Sequence, residues 1–158
     1  MRSRFLINIL LTFVWVALTG SYDKMTFAFG FLLSYAVIWV LGRDDQTQKY
    51  AAITPRIIAF FFFFIYQLIK ANIQVAYDVV TPRFYMKPGI VKVPLDAKSD
   101  LEITLLANFI SLTPGTLSLD VSDDRKVLYV HGMFITDKEE FIRDIKDGFE
   151  RRLLKILR

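Results

Sequence analysis

Four polar side chains, Gln67, Lys70, Gln74 and Asp78, recur every three or four residues through a largely apolar stretch. At 100° per residue they share one helical face with Thr81. An amine, two amides and a carboxylate in line could pass a cation or a proton, and an ionisable group at membrane depth is a functional candidate by default. The plainer reading is that Lys70 and Asp78 lie where the helix leaves lipid, with the Lys70 ammonium reaching water on its flexible stem. His131 is the sole histidine and the chain has no cysteine. This excludes disulfides, thiolate chemistry and a zinc site built from histidines. A lone histidine within a strand is far more often structural than a ligand. Asp120, Asp123 and Asp124 could suggest calcium, but the glycine and distal glutamate of an EF-hand loop are missing, and a solvated hairpin tip explains them. No nucleophile elbow, phosphate-binding glycine loop or H-E-x-x-H motif occurs, so nothing supports an enzyme, a resident metal or a cofactor.

The helix that positions the polar face is the longest feature of the chain. Ile57 to Tyr66 is an unbroken apolar run, and the amphipathic part continues to Val80 without Pro or Gly. As one helix, 57–80 would be about 36 Å long at ~1.5 Å per residue, more than the roughly 30 Å of a hydrocarbon core. This predicts a helix over about 56–80 that crosses a membrane and leaves it still helical. Thr54 is expected as its N-cap, with Pro55 in the first turn.

Two shorter apolar segments precede it. Residues 5–19 follow a basic Met1-Arg2-Ser3-Arg4 start, and residues 25–41 follow a Thr19–Lys24 turn. They read as a hairpin rather than a cleaved leader. Asn8 and Thr12 either face another helix or bond their own backbone. Gly30 and Ser34 make a small-xxx-small packing face, and Trp39 is placed as an interfacial anchor. Gly42–Tyr50 is a polar loop.

After Val80 the composition changes. Residues 1–80 hold 7 Lys/Arg and 4 Asp/Glu, and residues 81–158 hold 13 and 12, nearly balanced, as on a wetted surface. No basic block suggests nucleic acid. Arg83, Phe84, Tyr85 and Lys87 in the exit linker suit the headgroup level. The remainder predicts a β-α-β-β-α order. A strand spans 90–95, and a helix opens at the Ser99/Glu102 capping box. A Thr113-Pro114-Gly115-Thr116 turn of type II follows, then a hairpin of strands 117–121 and 127–133. The last helix is expected to open at a Thr136/Glu139 capping box. The fold class is thus a helical membrane protein with three N-terminal hydrophobic helices, a membrane domain at 1–82, and a small α+β domain at 83–158. About 70 residues make a marginal core, so the bilayer or a partner is expected to support it.

Asn108 to Asp120, with Ser111, Thr113, Pro114, Gly115 and Thr116 at its centre, reads physically as a helix end, a tight turn and a strand start. Together with Leu128-Tyr129-Val130-His131 it resembles the signature of the E subunit of Mrp-type multi-subunit cation/proton antiporters. Asn8-Ile9-Leu10-Leu11, Trp15 and Leu18-Thr19-Gly20-Ser21 resemble that family's first hairpin. The resemblance implies an accessory subunit in a bacterial plasma-membrane assembly that exchanges sodium for protons, with the ion relay in other hydrophobic subunits. It also implies a cytoplasmic C-terminal domain. Counting basic residues argues otherwise. With three crossings, Arg2, Arg4, Arg43, Lys49 and Arg56 all lie on the N-terminal side, which makes that side cytoplasmic and the domain external. The expectation adopted is that of the resemblance. The alternatives are a free-standing membrane-anchored interaction module and a small homo-oligomeric pore lined by Gln67, Lys70, Gln74 and Asp78.

Overall fold

The computed structural model describes residues 2–42, 45–82 and 86–158. Arg43 and Asp44 of the polar loop, and Arg83, Phe84 and Tyr85 of the exit linker, lie outside the described residues. The chain is mostly helical, with two long apolar helices and one small sheet. Packing divides it into two compact units, Met1–Pro55 and Arg56–Arg158.

In the first unit, α1 (Arg2–Thr19) and α2 (Lys24–Leu41) form a helical hairpin. Gly20, at φ 63°, makes the turn, and Asp23 caps α2 by accepting a 2.6 Å bond from the Thr26 N–H. Asn8, Thr12 and Val16 are buried along one stripe of α1, and Gly30 and Ser34 along α2. A Cβ on Gly30 would lie 2.8 Å from Trp15 Cδ1, so glycine is what lets the two helices approach there. Both readings of Thr12 apply: it is fully buried, and its hydroxyl donates to Asn8 O at 2.8 Å. The Asn8 amide reaches outward, donating to Tyr50 Oη at 2.9 Å.

Helix α3 (Asp45–Val80) starts well before the expected Thr54 cap, and Pro55 lies inside it. An interior proline removes the N–H that would bond the carbonyl four residues back. That carbonyl belongs to Ala51, and the Tyr35 hydroxyl donates to it at 3.2 Å. Thr54, instead of capping, donates its hydroxyl to Tyr50 O at 3.3 Å. The sequence signal for a helix start is therefore overridden by a tertiary partner for the orphaned carbonyl.

In the second unit, β1 (Gly89–Pro94), β2 (Thr116–Val121) and β3 (Val127–Gly132) form an antiparallel sheet in the order β1-β3-β2. Helix α4 (Asp100–Leu112) joins β1 to β2 and opens at the full Ser99/Glu102 capping box. The chain ends in α5 (Lys138–Arg143), a π-helical segment (Asp144–Glu150) and α6 (Arg151–Leu157). Asp137, not Thr136, caps α5, accepting from the N–H groups of Glu139 and Glu140 at 2.7 and 3.3 Å. A carboxylate one residue nearer the helix displaces the expected hydroxyl.

Val91, Val93, Leu128 and Val130 from one sheet face pack with Leu106 and Ile110 of α4 and with Ile145, Phe149 and Leu153. Helix α3 joins this core through Phe60, Phe63 and Phe64. Phe60 and Phe64 stand edge-on to Phe109 at 4.8 and 5.1 Å between ring centroids, and Phe63 meets Phe149 at 5.3 Å. The β1–α4 connection is held from the C-terminal segment. Glu150 is buried and accepts from the N–H groups of Asp96 and Ala97 at 2.6 and 2.9 Å. Lys146 bridges Asp96 and Glu150 at 2.6 and 2.7 Å. Burial alone would lower the pKa of the Lys146 ammonium, but the two carboxylates outweigh it and hold it above its usual value.

Candidate functional site

The loop singled out in the sequence is a knot of hydroxyls. Thr113 Oγ1 and Thr116 Oγ1 lie 2.5 and 2.6 Å from Ile110 O and 2.7 Å from each other. This triangle satisfies Ile110 O, one of the last-turn carbonyls of α4 that lack a helical partner. The Thr116 N–H donates to Thr113 O at 3.2 Å, and Gly115 takes φ 84°, as the third position of a type II turn requires. Gly115 O in turn accepts from the Met133 N–H at 2.8 Å, which pins the turn to the end of β3. Backbone and side chains both fix this loop, so its shape is preformed.

The polar face of α3 is turned onto the same loop. Gln67, Lys70, Ala71 and Gln74 form one wall of a cavity of about 160 Å³. Thr113, Pro114, Gly115 and Thr116 form a second wall, and Phe134, Phe141, Asp144 and Phe149 complete it. Part of the face expected to meet water or a partner thus borders the chain's own α+β domain, with Lys70 and Gln74 still exposed. Two sets of candidate residues, chosen for unrelated reasons, thus share one small amphipathic cavity holding an amine, a carboxylate and two amides. That is room for a few waters or one inserted side chain.

The remaining candidates lie elsewhere. Asp78 is buried, at 4 % exposure, further along α3. Asn108 is exposed on α4. Ser111 Oγ accepts from the Ser118 N–H at 3.0 Å, stitching α4 to the edge of β2. Asp120 sits in a β-bulge, its Oδ1 accepting from the Val121 N–H at 2.8 Å. His131 is half-buried on the sheet face opposite the core, paired between Ile90 and Leu117. Among the described residues, no group of three or more His, Cys, Asp or Glu could hold a metal ion.

Two contacts escape a reading of the sequence. The Arg158 guanidinium forks onto Glu102, with Nε to Oε1 at 3.0 Å and Nη2 to Oε2 at 3.2 Å. With help from the Lys98 and Ser99 N–H groups it holds the Glu102 carboxyl down at about 2. The Arg152 guanidinium lies 4.4 Å from the centre of the Phe63 ring. The capping box signals that Glu102 is engaged, but nothing local names its distant partner.

Apolar helices joined to a small α+β domain with a hydroxyl-lined loop define a membrane protein. The family follows from its relatives. A family model described as Na+/H+ ion antiporter subunit matches residues 8–156. The chain is 40 % identical over 156 residues to the E subunit of the Na+/H+ antiporter of Alkalihalophilus pseudofirmus, covering 99 % of each. It is 37 % identical over 158 residues to the corresponding E subunit of Bacillus subtilis, covering all of both. The chain belongs to the family of Na+/H+ antiporter E subunits. Among solved structures it resembles a chain of the Mrp complex from Dietzia, at 32 % identity and TM-score 0.50, over 65 % of this chain and 96 % of that one. It also resembles a chain of an archaeal respiratory complex, the membrane-bound sulfane sulfur reductase. There the identity is 27 % and the TM-score 0.55, over 95 % and 96 % of the two chains.

Proposed function

We propose that this chain is an accessory subunit of a multi-subunit monovalent-cation/proton antiporter, supporting assembly and exchange without an ion relay of its own. The carrying observation is the end-to-end similarity to the E subunits of Na+/H+ antiporters. The chain's own chemistry agrees: apart from Lys70 and Asp78, its apolar segments contain no Asp, Glu or His that could form a relay. In this reading residues 1–82 are the membrane part with three hydrophobic helices. The β-α-β-β-α part at 83–158 lies at the membrane surface on the cytoplasmic side, and other hydrophobic subunits and the bilayer are the partners. Against the pore alternative, Gln67, Lys70 and Gln74 border a pocket beside the chain's own α+β domain.

The loop gives the test. Pro114→Gly loosens the turn, and Thr113→Phe breaks the hydroxyl triangle and fills the cavity beside Lys70. Both are expected to lower Na+/H+ exchange in membrane vesicles by more than they lower the amount of this protein in the membrane. If exchange simply follows the amount of assembled complex, the loop serves folding alone.

A further inference from the structure

We propose that a recess between α3 and α6 binds the phosphodiester headgroup of an anionic phospholipid. The site lies wholly within the second unit and stands whether or not the chain serves an antiporter.

The recess offers about 300 Å³, the share of roughly ten waters at ~30 Å³ each. Arg56, Arg151, Arg152 and Lys155 line it, and all four are exposed. Among the described residues that line it, Asp147 is the only acid. It lies 3.5 Å from Arg151 with both groups well exposed, so it offsets that one cation weakly. Arg56, Arg152 and Lys155 form no ion pair among the described residues. Arg151 and Lys155 stand one helical turn apart, a spacing at which like charges repel. Cations on an ordinary wetted surface would spread apart, and these are held together. Arg56 donates to Lys155 O at 3.0 Å, and Arg152 is stacked 4.4 Å from the centre of the Phe63 ring. One carbonyl and one ring face use few of the N–H groups that a guanidinium carries. Guanidiniums positioned in advance, with donors left over, are suited to fork onto phosphate oxygens.

The surroundings of the recess select the rest of the ligand. Ala59 and Phe60 of α3 give it an apolar wall. Beside them on the same helix, Ile57, Ile58, Phe61 and Phe62 are at least half exposed. A free phosphate would satisfy the cations and leave these side chains uncovered, and an acyl chain alone would do the reverse. A phospholipid does both, with its phosphate among the guanidiniums and its acyl chains along α3. Lys/Arg clusters next to apolar helices are a recurrent form of anionic-lipid recognition. A zwitterionic head would bring a further cation to a recess that already holds four, so a head with net negative charge is preferred.

The test titrates the full chain, in a neutral detergent, with phosphatidylglycerol or phosphatidylcholine and counts bound lipid by native mass spectrometry. Phosphatidylglycerol should be retained in preference. Arg56→Gln and Arg152→Gln should each weaken its binding about fivefold, the usual effect of one basic residue at an anionic headgroup. Arg143→Gln removes a cation of α5 that does not line the recess, and should leave the affinity unchanged. Asp147→Asn should tighten binding, a gain that a damaged fold cannot produce. Equal retention of the two lipids, an equal loss with Arg143→Gln, or no gain with Asp147→Asn overturns the proposal. Displacement of the lipid by inorganic phosphate or by an acidic peptide at equal concentration overturns a lipid as the occupant.

Discussion

Glu102 carries two duties on one carboxylate. It closes the capping box of α4, and it receives the Arg158 fork that ties the last helix back to the domain. Its folded pKa, about 2, lies below the ordinary 4.5. Between those values the unfolded chain binds more protons than the folded one, so acid favours unfolding. The stabilisation is complete above pH 4.5 and disappears as pH falls toward 2. Thermal unfolding of the purified protein across that range should show the loss, and Glu102→Gln should flatten it while lowering stability at neutral pH. A similar single-residue logic governs Pro55. Tyr35→Phe strands the Ala51 carbonyl and is expected to cost about 1 kcal/mol, the usual net value of a hydrogen bond. In a Pro55→Ala background the backbone N–H returns to that carbonyl, and the same Tyr35→Phe change should cost little. Denaturant midpoints for the four proteins of this double-mutant cycle measure the coupling.

Among the elements, the last helix shows how far periodicity can be trusted. The buried series is Ile145, Phe149 and Leu153, continued by the half-buried Phe141 and Leu157, a strict four-residue repeat. At 3.6 residues per turn such a repeat drifts by about 40° each step and leaves the core after a few turns. A π turn holds more residues and takes up the drift, which explains why Asp144–Glu150 is π-helical. The repeat was legible, and its consequence required noticing that four is not 3.6. Gly148 sits inside this segment where α3 passes: a Cβ there would be 3.1 Å from Phe63 Cζ. Gly148→Leu should wedge α3 from the domain, cost about 1–3 kcal/mol in the manner of overpacked cores, and appear as a lower melting temperature with faster proteolysis near residue 82.

At the scale of the whole molecule, purification in mild detergent through a tag fused after Arg158 should bring down a stoichiometric set of very hydrophobic proteins. A lone monomer or homo-oligomer, stable across detergents, would remove the subunit reading. The strand positions, the Ser99/Glu102 cap and the Pro114-Gly115 turn were legible because each rests on neighbours in sequence. The meeting of the α3 polar face with the Thr113–Thr116 loop was not, although both were singled out, because only the tertiary fold brings Lys70 beside Gly115. The start of α3 was misplaced for the same reason: the partner that tolerates Pro55 lies on another helix.

The bulge in β2 has a bearing on how this domain can be joined. The bulge bends the edge strand at Ser118–Asp120, and Ser111 already occupies the Ser118 N–H that a docking strand would seek. The opposite edge, β1, carries Lys92 and ends in Pro94. Both margins are thus closed to β-augmentation. A neighbouring chain that sought to extend this sheet would find both margins blunted.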